Sequence, residues 1–393
     1  MIGRNFVRGF SLLVFFLLFL PGCSRATQGV ASNNQIGLKI AWEPILVYTT
    51  HTDSAGKTVK KAITYELQLV NFYPDMHLAL SAVEVRSGGP SGELILKLEK
   101  DELKNCLWNP YSTNRYSIRP WPMVYMWISL YPESAVPDSL YHRVIFVSDR
   151  GAEKVVEGGL VPVQNAQPAV LGPPVRGGKW WAWHAPSNLL DNHHRHGLFN
   201  INGLLMCHPE RSAVDWMKLG PDGSIFRNDG SKNEDFYCYG EELLSVADAT
   251  VVDARDGLPE NTPSHAPEPN LETLCGNSVT LDMGNGVFAL YAHLKTGTLK
   301  VSAGQKVSRG QLLGLLGNSG NSDCPHLHFQ ISDNRTIFRA EGLPFVHGNF
   351  VCHGTKYNPV GPWESATSET RTREIPFDRN VVTFPDLPFR VRP

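Results

Sequence analysis

The sequence has no close pair of cysteines, no marked excess of charge of one sign and little helical periodicity. None of its seven cysteines forms a Cys-x-x-Cys pair, which argues against a zinc site built from cysteine. The formal net charge of -2 comes without a basic stripe, which argues against nucleic acid as a partner. By contrast, 35 glycines and 28 prolines indicate many turns. The composition therefore predicts a mainly β protein, and 393 residues are enough for two domains.

The N-terminal end carries an apolar run that is too short to span a bilayer as a helix. Residues 10–20 form this run after two arginines, which is typical of an export signal. The run ends in Leu20-Pro-Gly-Cys23, which resembles the lipobox of bacterial lipoproteins. We therefore predict a lipoprotein signal peptide over residues 1–23 and a tether over residues 24–37. A lipidated Cys23 would anchor the chain to the membrane of the bacterial cell envelope, facing the periplasm. The alternative is an ordinary cleaved signal, which leaves Cys23 as an odd thiol.

The remaining cysteines are even in number. In an exported chain this is typical of disulfides, and six cysteines allow many connectivities. We expect disulfides that join long loops of the C-terminal half, with the pairing left open. The six residues are Cys106, Cys207, Cys238, Cys275, Cys324 and Cys352.

Residues 38–163 show the pattern of a β domain. Residues 63–69 alternate between apolar and polar side chains, which predicts a half-buried strand. Similar short runs follow, separated by turn clusters such as residues 87–92. This pattern predicts an immunoglobulin-like β-sandwich. No combination of catalytic residues appears in it, so we interpret it as a spacer or binding module.

Two further segments are predicted to lack regular structure over most of their length. Residues 164–197 contain prolines and glycines that break regular structure, and they are interpreted as a linker. Three tryptophans in this linker, at positions 180, 181 and 183, are expected to pack against one of the domains. Residues 353–393 are polar and contain prolines, and they are predicted to form a surface tail. Within this tail, residues 380–384 are predicted as a short strand.

Two stretches carry the histidines that indicate chemistry. Residues 324–331 contain His326 and His328 on an apolar run. Because side chains alternate along a strand, both imidazoles face the same side. A third histidine, His293, arrives on a separate apolar run. Three imidazoles so arranged predict a metal site or an acid–base site.

These stretches resemble the M23 family of zinc peptidases, of the LytM or lysostaphin type. The resemblance is carried by Tyr-Ala-His-Leu at residues 291–294, by Pro-His-Leu-His-Phe at residues 325–329, and by valines and glycines at three-residue steps from Val301 to Gly310. It covers roughly residues 199–335. It implies an antiparallel β-sheet domain, which we place at residues 198–352.

The resemblance also implies a set of roles. In the M23 family, zinc is held by the His and the Asp of a His-x-x-x-Asp motif and by the second His of His-x-His. The matching residues are Asp215 and His328, whereas His293 and His326 would assist proton transfer. The first ligand is missing, because Arg211 stands four residues before Asp215. A guanidinium stays protonated and offers no lone pair to a metal.

Three hypotheses account for the arginine. In the first, another histidine replaces the missing ligand, with His208 as the main candidate. In the second, Asp215 and His328 hold zinc weakly together with water, and Arg211 turns outward or binds substrate. In the third, Arg211 pairs with Asp215 and the site is inactive. The first hypothesis also admits three histidines of the linker: His193, His194 and His196.

The function predicted from the resemblance is that of an envelope zinc metalloendopeptidase that cleaves peptide bonds of peptidoglycan. The alternative is a catalytically inactive LytM-like module that binds peptidoglycan or regulates another wall hydrolase. A third hypothesis is a structural envelope protein whose N-terminal domain docks a protein partner.

Overall fold

The computed structural model describes the chain in segments. They are residues 30–32, 36–40, 45–52, 58–108, 117–118, 123–130, 136–165, 168–187, 192–197, 199–201, 205–265, 267–268 and 270–385. The predicted signal peptide, with Cys23, lies outside the described residues. Within these segments, no helix has the length and apolar character needed to cross a membrane. Strands dominate, so the predicted mainly β fold with antiparallel sheets is confirmed.

The N-terminal strands belong to one hydrogen-bonded sheet. They are β1 (Val30–Ser32), β2 (Ile36–Ile40), β3 (Ile45–Thr52), β4 (Thr58–Asn71), β5 (Leu78–Ser87), β6 (Leu94–Glu99), β7 (Leu107–Trp108), β8 (Ser117–Ile118), β9 (Met123–Leu130), β10 (Ser139–Ser148) and β11 (Glu153–Asn165). A short helix, α1 (Lys100–Cys106), follows β6. The main path runs β1-β2-β4-β3-β11-β10-β5-β6. The β3–β11 pair is parallel, whereas β4 is antiparallel to its neighbours β2, β3 and β9.

Alternating side chains explain the inner face of this domain. Along β10, Leu140, His142, Val144 and Phe146 are buried, and the residues that alternate with them are less buried. In β4, Ile63 and Leu67 occupy the same core. The immunoglobulin-like arrangement of these strands stays a prediction.

The prediction that residues 63–69 are half-buried is wrong. Both faces of β4 are covered, because the polar face meets the C-terminal half of the chain. Glu66 on this face is 1% exposed and contacts His208 and Arg211. A carboxylate is buried in this way only where donors or cations surround it. The sequence pattern of β4 therefore conceals an interdomain contact.

The C-terminal strands form a second large sheet with two small ones beside it. They are β12 (Ala169–Leu171), β13 (Lys179–Trp183), β14 (Phe199–Ile201), β15 (Leu205–Cys207), β16 (Val214–Leu219), β17 (Glu242–Leu244), β18 (Ala249–Arg255), β19 (Asn277–Asp282), β20 (Phe288–Leu294), β21 (Lys306–Val307), β22 (Leu312–Leu315), β23 (Leu327–Ser332), β24 (Phe345–Thr355), β25 (Glu364–Glu374) and β26 (Asn380–Thr383). Three 3-10 turns accompany them, at His193–His196, Asn233–Asp235 and Ile337–Arg339. The order of the large sheet is β12-β24-β26-β13-β16-β23-β20-β19-β18-β21, with β25 beside β24.

The predicted linker and tail differ from the structure. Strands β12 and β13 lie within residues 164–197, and β13 is an interior strand between β16 and β26. Trp180 and Trp181 on β13 are buried in the core of the second sheet, as expected for packed tryptophans. In the predicted tail, the short strand predicted at residues 380–384 is confirmed as β26, whereas β25 was not predicted, and both strands pair with β24. The prolines and glycines around these strands had favoured irregular structure, but short apolar runs in β12, β13 and β26 join the sheet. Strand β25 is polar and largely exposed, and it joins the sheet through its pairing with β24.

Two local features concern the C-terminal half. Strands β19 and β20 form a hairpin, with positive φ angles at Gly284, Asn285 and Gly286 in its turn. The expected disulfides are not formed, because all six cysteines between Cys106 and Cys352 are free thiols. Four of them are buried in the core and behave as small apolar side chains.

Candidate metal centre

The register of three strands places the first two residues of the candidate site. Asp215 on β16 is the ladder partner of His328 on β23 and of Trp183 on β13. His328 also faces Ala292 on β20. Asp215 therefore sits in the middle of the sheet, fully buried, with His328 directly beside it. The strand pairing by itself brings the two predicted metal ligands together.

Three imidazole nitrogens lie close to one carboxylate oxygen of Asp215. Its Oδ1 lies 3.1 Å from Nδ1 of His328, 3.3 Å from Nε2 of His194 and 3.7 Å from Nε2 of His326. The nitrogens of His194 and His328 are 3.2 Å apart. In a tetrahedral site with bonds of about 2.0 Å, neighbouring ligand atoms lie roughly 3.3 Å apart. The separations among His194, Asp215 and His328 therefore fit one cation.

The partners of the other ring nitrogens fix which atoms are free to bind that cation. Nδ1 of His194 donates to the carbonyl oxygen of His184 at 2.7 Å. Nε2 of His328 donates to Oε1 of Gln330 at 2.9 Å. A carbonyl oxygen only accepts, so these nitrogens carry the hydrogens and leave lone pairs on the two nitrogens that face Asp215. When both imidazoles are neutral, these two nitrogens and the carboxylate oxygen of Asp215 offer three lone pairs that could hold one metal ion.

The charges around Asp215 are consistent with this conclusion. Burial raises the pKa of Asp215, but the charge of His194 and hydrogen bonds from His184 and His194 hold it well below its usual range. Burial lowers the pKa of His194, but Asp215 reverses this effect and raises it to about 9. A proton on His194 therefore compensates the carboxylate when no cation is bound. Binding of a metal would release that proton.

A second pair of histidines approaches the other oxygen of Asp215. Nδ1 of His184 is 3.3 Å from Oδ2, and Nε2 of His193 is 3.7 Å from it. His184 is buried with a positive φ of 53°, whereas the His193 side chain is 57% exposed. These two histidines and Asp215 form a second group with the spacing of metal ligands. The first group is fully buried and contains both Asp215 and His328, so we take it as the main centre.

The remaining predicted residues, His293 and His326, lie beside this centre. Their ring centroids are 4.8 Å apart, and the rings of His293 and His328 are 6.0 Å apart. Nδ1 of His293 donates to Ser319 O, and Nδ1 of His326 donates to Cys324 O, both at 2.8 Å. Burial lowers the pKa of both imidazoles. Both rings are therefore neutral near pH 7, with a lone pair on Nε2.

Arg211 and His208 lie outside this cluster, which corrects the hypotheses about them. The Arg211 side chain is buried, so it does not turn outward, and it forms ion pairs with Glu66 and Glu341 and not with Asp215. His208 contacts Glu66 through Nδ1 and the carbonyl oxygen of His194 through Nε2, each at 2.7 Å. With both ring nitrogens so engaged, His208 does not supply the missing ligand. Of the histidines named as alternatives, His194 is the one that the structure brings to Asp215 and His328.

Sequence reasoning missed His184 and did not single out His194. His194 sits in the 3-10 turn His193–His196, where three histidines in four residues gave a signal but no order of preference. The side chain of His196 lies outside the described residues. His184 follows the tryptophans of β13, and a lone histidine after a strand has no pattern that marks it as part of a site. Only the tertiary fold brings it within reach of Asp215.

Comparison with known proteins gives a match to part of the chain. Residues 232–339 match the family described as Peptidase family M23. The matched part contains His293, His326 and His328, whereas His194 and Asp215 precede it. Peptidoglycan DD-endopeptidase ShyA of Vibrio cholerae is 46% identical over 92 residues, which are 23% of this chain and 19% of that protein. An uncharacterized metalloprotease of Buchnera aphidicola is 26% identical over 104 residues, which are 26% of this chain and 23% of that protein.

The chain thus spans about a fifth of the length of these curated relatives. Among solved structures, the catalytic domain of lysostaphin from Staphylococcus simulans aligns with 20% identity and a TM-score of 0.23, over 42% of this chain and 88% of that one. A zinc-containing peptidase from Vibrio cholerae aligns with 13% identity and a TM-score of 0.21, over 78% of this chain and 84% of that one.

Proposed function

Because the chain carries a peptidase domain of family M23, we propose that it is a zinc metalloendopeptidase of the bacterial cell envelope. Its proposed reaction is the hydrolysis of peptide bonds in peptidoglycan. ShyA, which shares 46% identity over the matched region, is named for endopeptidase action on that polymer. The predicted export signal and lipidated Cys23 support a location in the envelope, on the membrane. Peptidoglycan is thus the proposed partner, with the membrane as anchor.

The observation that carries this proposal is the convergence of His194, Asp215 and His328. It supports a complete set of three protein ligands in spite of Arg211. Two nitrogens and one oxygen suit zinc, and three protein ligands leave one position open for water or substrate. When bound there, zinc acts as a Lewis acid that activates water and polarises a peptide carbonyl.

The chain's own histidines support the proton transfers of such a hydrolysis. His326 and His293 are neutral, and each has its Nδ1 hydrogen fixed on a backbone carbonyl, so Nε2 is the atom that accepts a proton. His326 Nε2 lies 3.7 Å from Oδ1 of Asp215, beside the proposed metal position, so we assign His326 as the base that takes a proton from water. The resulting imidazolium then donates that proton to the leaving amine.

The inactive alternative rested on Arg211. An arginine that paired with Asp215 would occupy the metal position with a positive charge. Instead, the guanidinium binds Glu66 and Glu341, and Asp215 is surrounded by imidazoles. This arrangement favours the catalytic proposal over a module that only binds the wall.

The test is digestion of purified peptidoglycan by the exported chain in the presence of zinc, with new amino termini and released muropeptides measured by mass spectrometry. We expect release that stops with a chelator and is lost in His326→Gln and His328→Ala. The control is His77→Gln, an exposed histidine of the N-terminal domain. A zinc-loaded chain that binds peptidoglycan without releasing any product would overturn the catalytic proposal in favour of the binding module.

A further inference from the structure

We propose that the N-terminal domain holds the metal ligand His194 in position through a buried polar chain that runs from Glu66 through His208 to the backbone of His194. Arg211, at the position of the lost ligand, anchors this chain by binding Glu66 from the other side. The proposal rests on His194 being a ligand of the proposed zinc centre. It makes Glu66, His208 and Arg211 positioning residues that act on the centre from outside.

The first link of this chain is a carboxylate that is buried between the two halves of the protein. Glu66 on β4 is 1% exposed and Arg211 is 4% exposed. Arg211 binds Glu66 with two parallel hydrogen bonds, Nε to Oε1 at 2.9 Å and Nη2 to Oε2 at 2.8 Å. Its Nη2 also donates to Glu341 at 2.7 Å. A paired fork of this kind fixes both position and orientation, which a single contact does not.

The second link is His208, which lies three residues before Arg211 on the same loop. Its Nδ1 is 2.7 Å from Oε1 of Glu66, and its Nε2 is 2.7 Å from the carbonyl oxygen of His194. The ring is buried, so water does not compete for either contact. Glu66 thereby fixes the ring of His208, and the ring fixes the backbone of His194.

The third link is the short turn that carries His194. The 3-10 turn His193–His196 is a single turn, which is too short to be stable by itself. Its backbone is held by Asn192, whose side chain accepts from the His194 amide at 3.1 Å, and by His208 at the His194 carbonyl. Metal ligands depend on such outer partners for their orientation. Loss of the His208 contact would therefore let the Nε2 atom of His194 move away from Asp215.

This arrangement also explains why an arginine is found at position 211. The loop that begins at His208 leads through Arg211 to Asp215, so one segment carries both the contact with the N-terminal domain and a ligand of the centre. Because a guanidinium cannot bind zinc, a centre with Arg211 at this position needs its third protein ligand from another segment of the chain. The same guanidinium stabilises the buried Glu66, on which the substitute ligand depends.

The first experiment measures this support without a metal. Amide hydrogen exchange of the metal-free full chain is compared between the wild type, Glu66→Gln and His208→Gln, with peptides that cover residues 192–197. We expect at least about tenfold faster exchange there in both variants, since a buried hydrogen bond to a charged group is lost. Peptides from β23, which carries His328, are expected to be unchanged. The matched control is Glu84→Gln, which removes an ion-paired carboxylate of the same domain that binds Arg86 and Arg143.

The second experiment measures the zinc dissociation constant by competition with a chromophoric chelator. Glu66→Gln and His208→Gln are expected to weaken zinc binding roughly 10- to 100-fold, whereas Glu84→Gln should change it less than about twofold. The double variant Glu66→Gln/His208→Gln should bind zinc as tightly as the single variant with the larger loss of affinity, because the two substitutions interrupt the same chain of contacts. If Glu66→Gln does not fold, Glu66→Asp shortens the same contact and keeps the charge.

The outcomes separate this inference from the proposed function. Unchanged exchange over residues 192–197 in both single variants would overturn the inference, whatever the metal result. Faster exchange with no zinc bound by the wild type would keep the positioning chain and refute the zinc centre. Zinc binding that is equally tight in the wild type, Glu66→Gln and His208→Gln would keep the centre and refute its dependence on the N-terminal domain.

Discussion

Changing Glu66 to glutamine should remove an acid-dependent part of the stability of this protein. Burial raises the pKa of Glu66, but the charges and hydrogen bonds of Arg211 and His208 outweigh it and lower the pKa from 4.5 to about 2. The difference of about 2.5 units corresponds to roughly 3 kcal/mol at 1.36 kcal/mol per unit. Because the pKa is lower in the folded state, this contribution is complete above about pH 4.5 and is lost as the pH falls towards 2. Burial keeps it from being screened by salt.

The assay is urea unfolding, followed by tryptophan fluorescence, of the wild type and of Glu66→Gln at several pH values between 6 and 2. At each pH, the free energy of unfolding of Glu66→Gln is subtracted from that of the wild type. This difference should be larger at pH 6 than at pH 2 by roughly 3 kcal/mol. Glu93→Gln removes an exposed carboxylate of the same domain and serves as control, with a pH dependence that parallels the wild type. Parallel curves for Glu66→Gln and the wild type would show that the buried pair does not act as described.

Three further outcomes test other parts of the structure. His194→Ala should abolish the binding of one zinc per chain, measured by metal analysis after dialysis. His193→Ala should still bind one zinc, because His193 is largely exposed and contacts the other oxygen of Asp215. Gln330→Leu should weaken zinc binding roughly 10- to 100-fold, since the amide oxygen of Gln330 fixes the His328 ring, and Gln330→Glu should bind zinc as the wild type does. Equal zinc affinities in the wild type and both variants would contradict this role of Gln330. Cys23→Ala should move the chain from the membrane to the soluble fraction of cells, and a variant that stays in the membrane fraction would refute anchoring through Cys23.

The part of the site that sequence reasoning identified is the part that strand geometry determines. The one-residue spacing of His326 and His328 follows from the period of a strand, and Asp215 becomes the neighbour of His328 through a ladder pair. The spacing of the two histidines is visible in the sequence, whereas Asp215 was assigned through the resemblance to the M23 family. His194 has no fixed spacing from Asp215, because it is contributed by a single turn that reaches the site from a separate segment. Its identity as a ligand depends on the tertiary fold.

The errors in the fold have a similar origin. Residues 164–197 are rich in proline and glycine, but Trp180 and Trp181 lie on an interior strand, so the local composition was outweighed by their burial between β16 and β26. Glu66 sits at a position that alternation assigns to solvent. It is buried because a second domain covers that face, and no pattern within β4 records the partner. The expected disulfides failed because an even number of cysteines does not fix their distances.

Arg211 is best understood together with His194 and Glu66. A buried ion pair is often no more stable than apolar residues of the same volume, because both charges lose their hydration. What a bidentate pair provides is a defined geometry, and here that geometry lies one hydrogen-bonded ring away from a candidate metal ligand. The loop from His208 to Asp215 thus carries the contact with the N-terminal domain at one end and a ligand at the other. Displacement of the N-terminal domain would disturb both His194 and Asp215, so we attribute the presence of this buried pair to the precision that the centre requires.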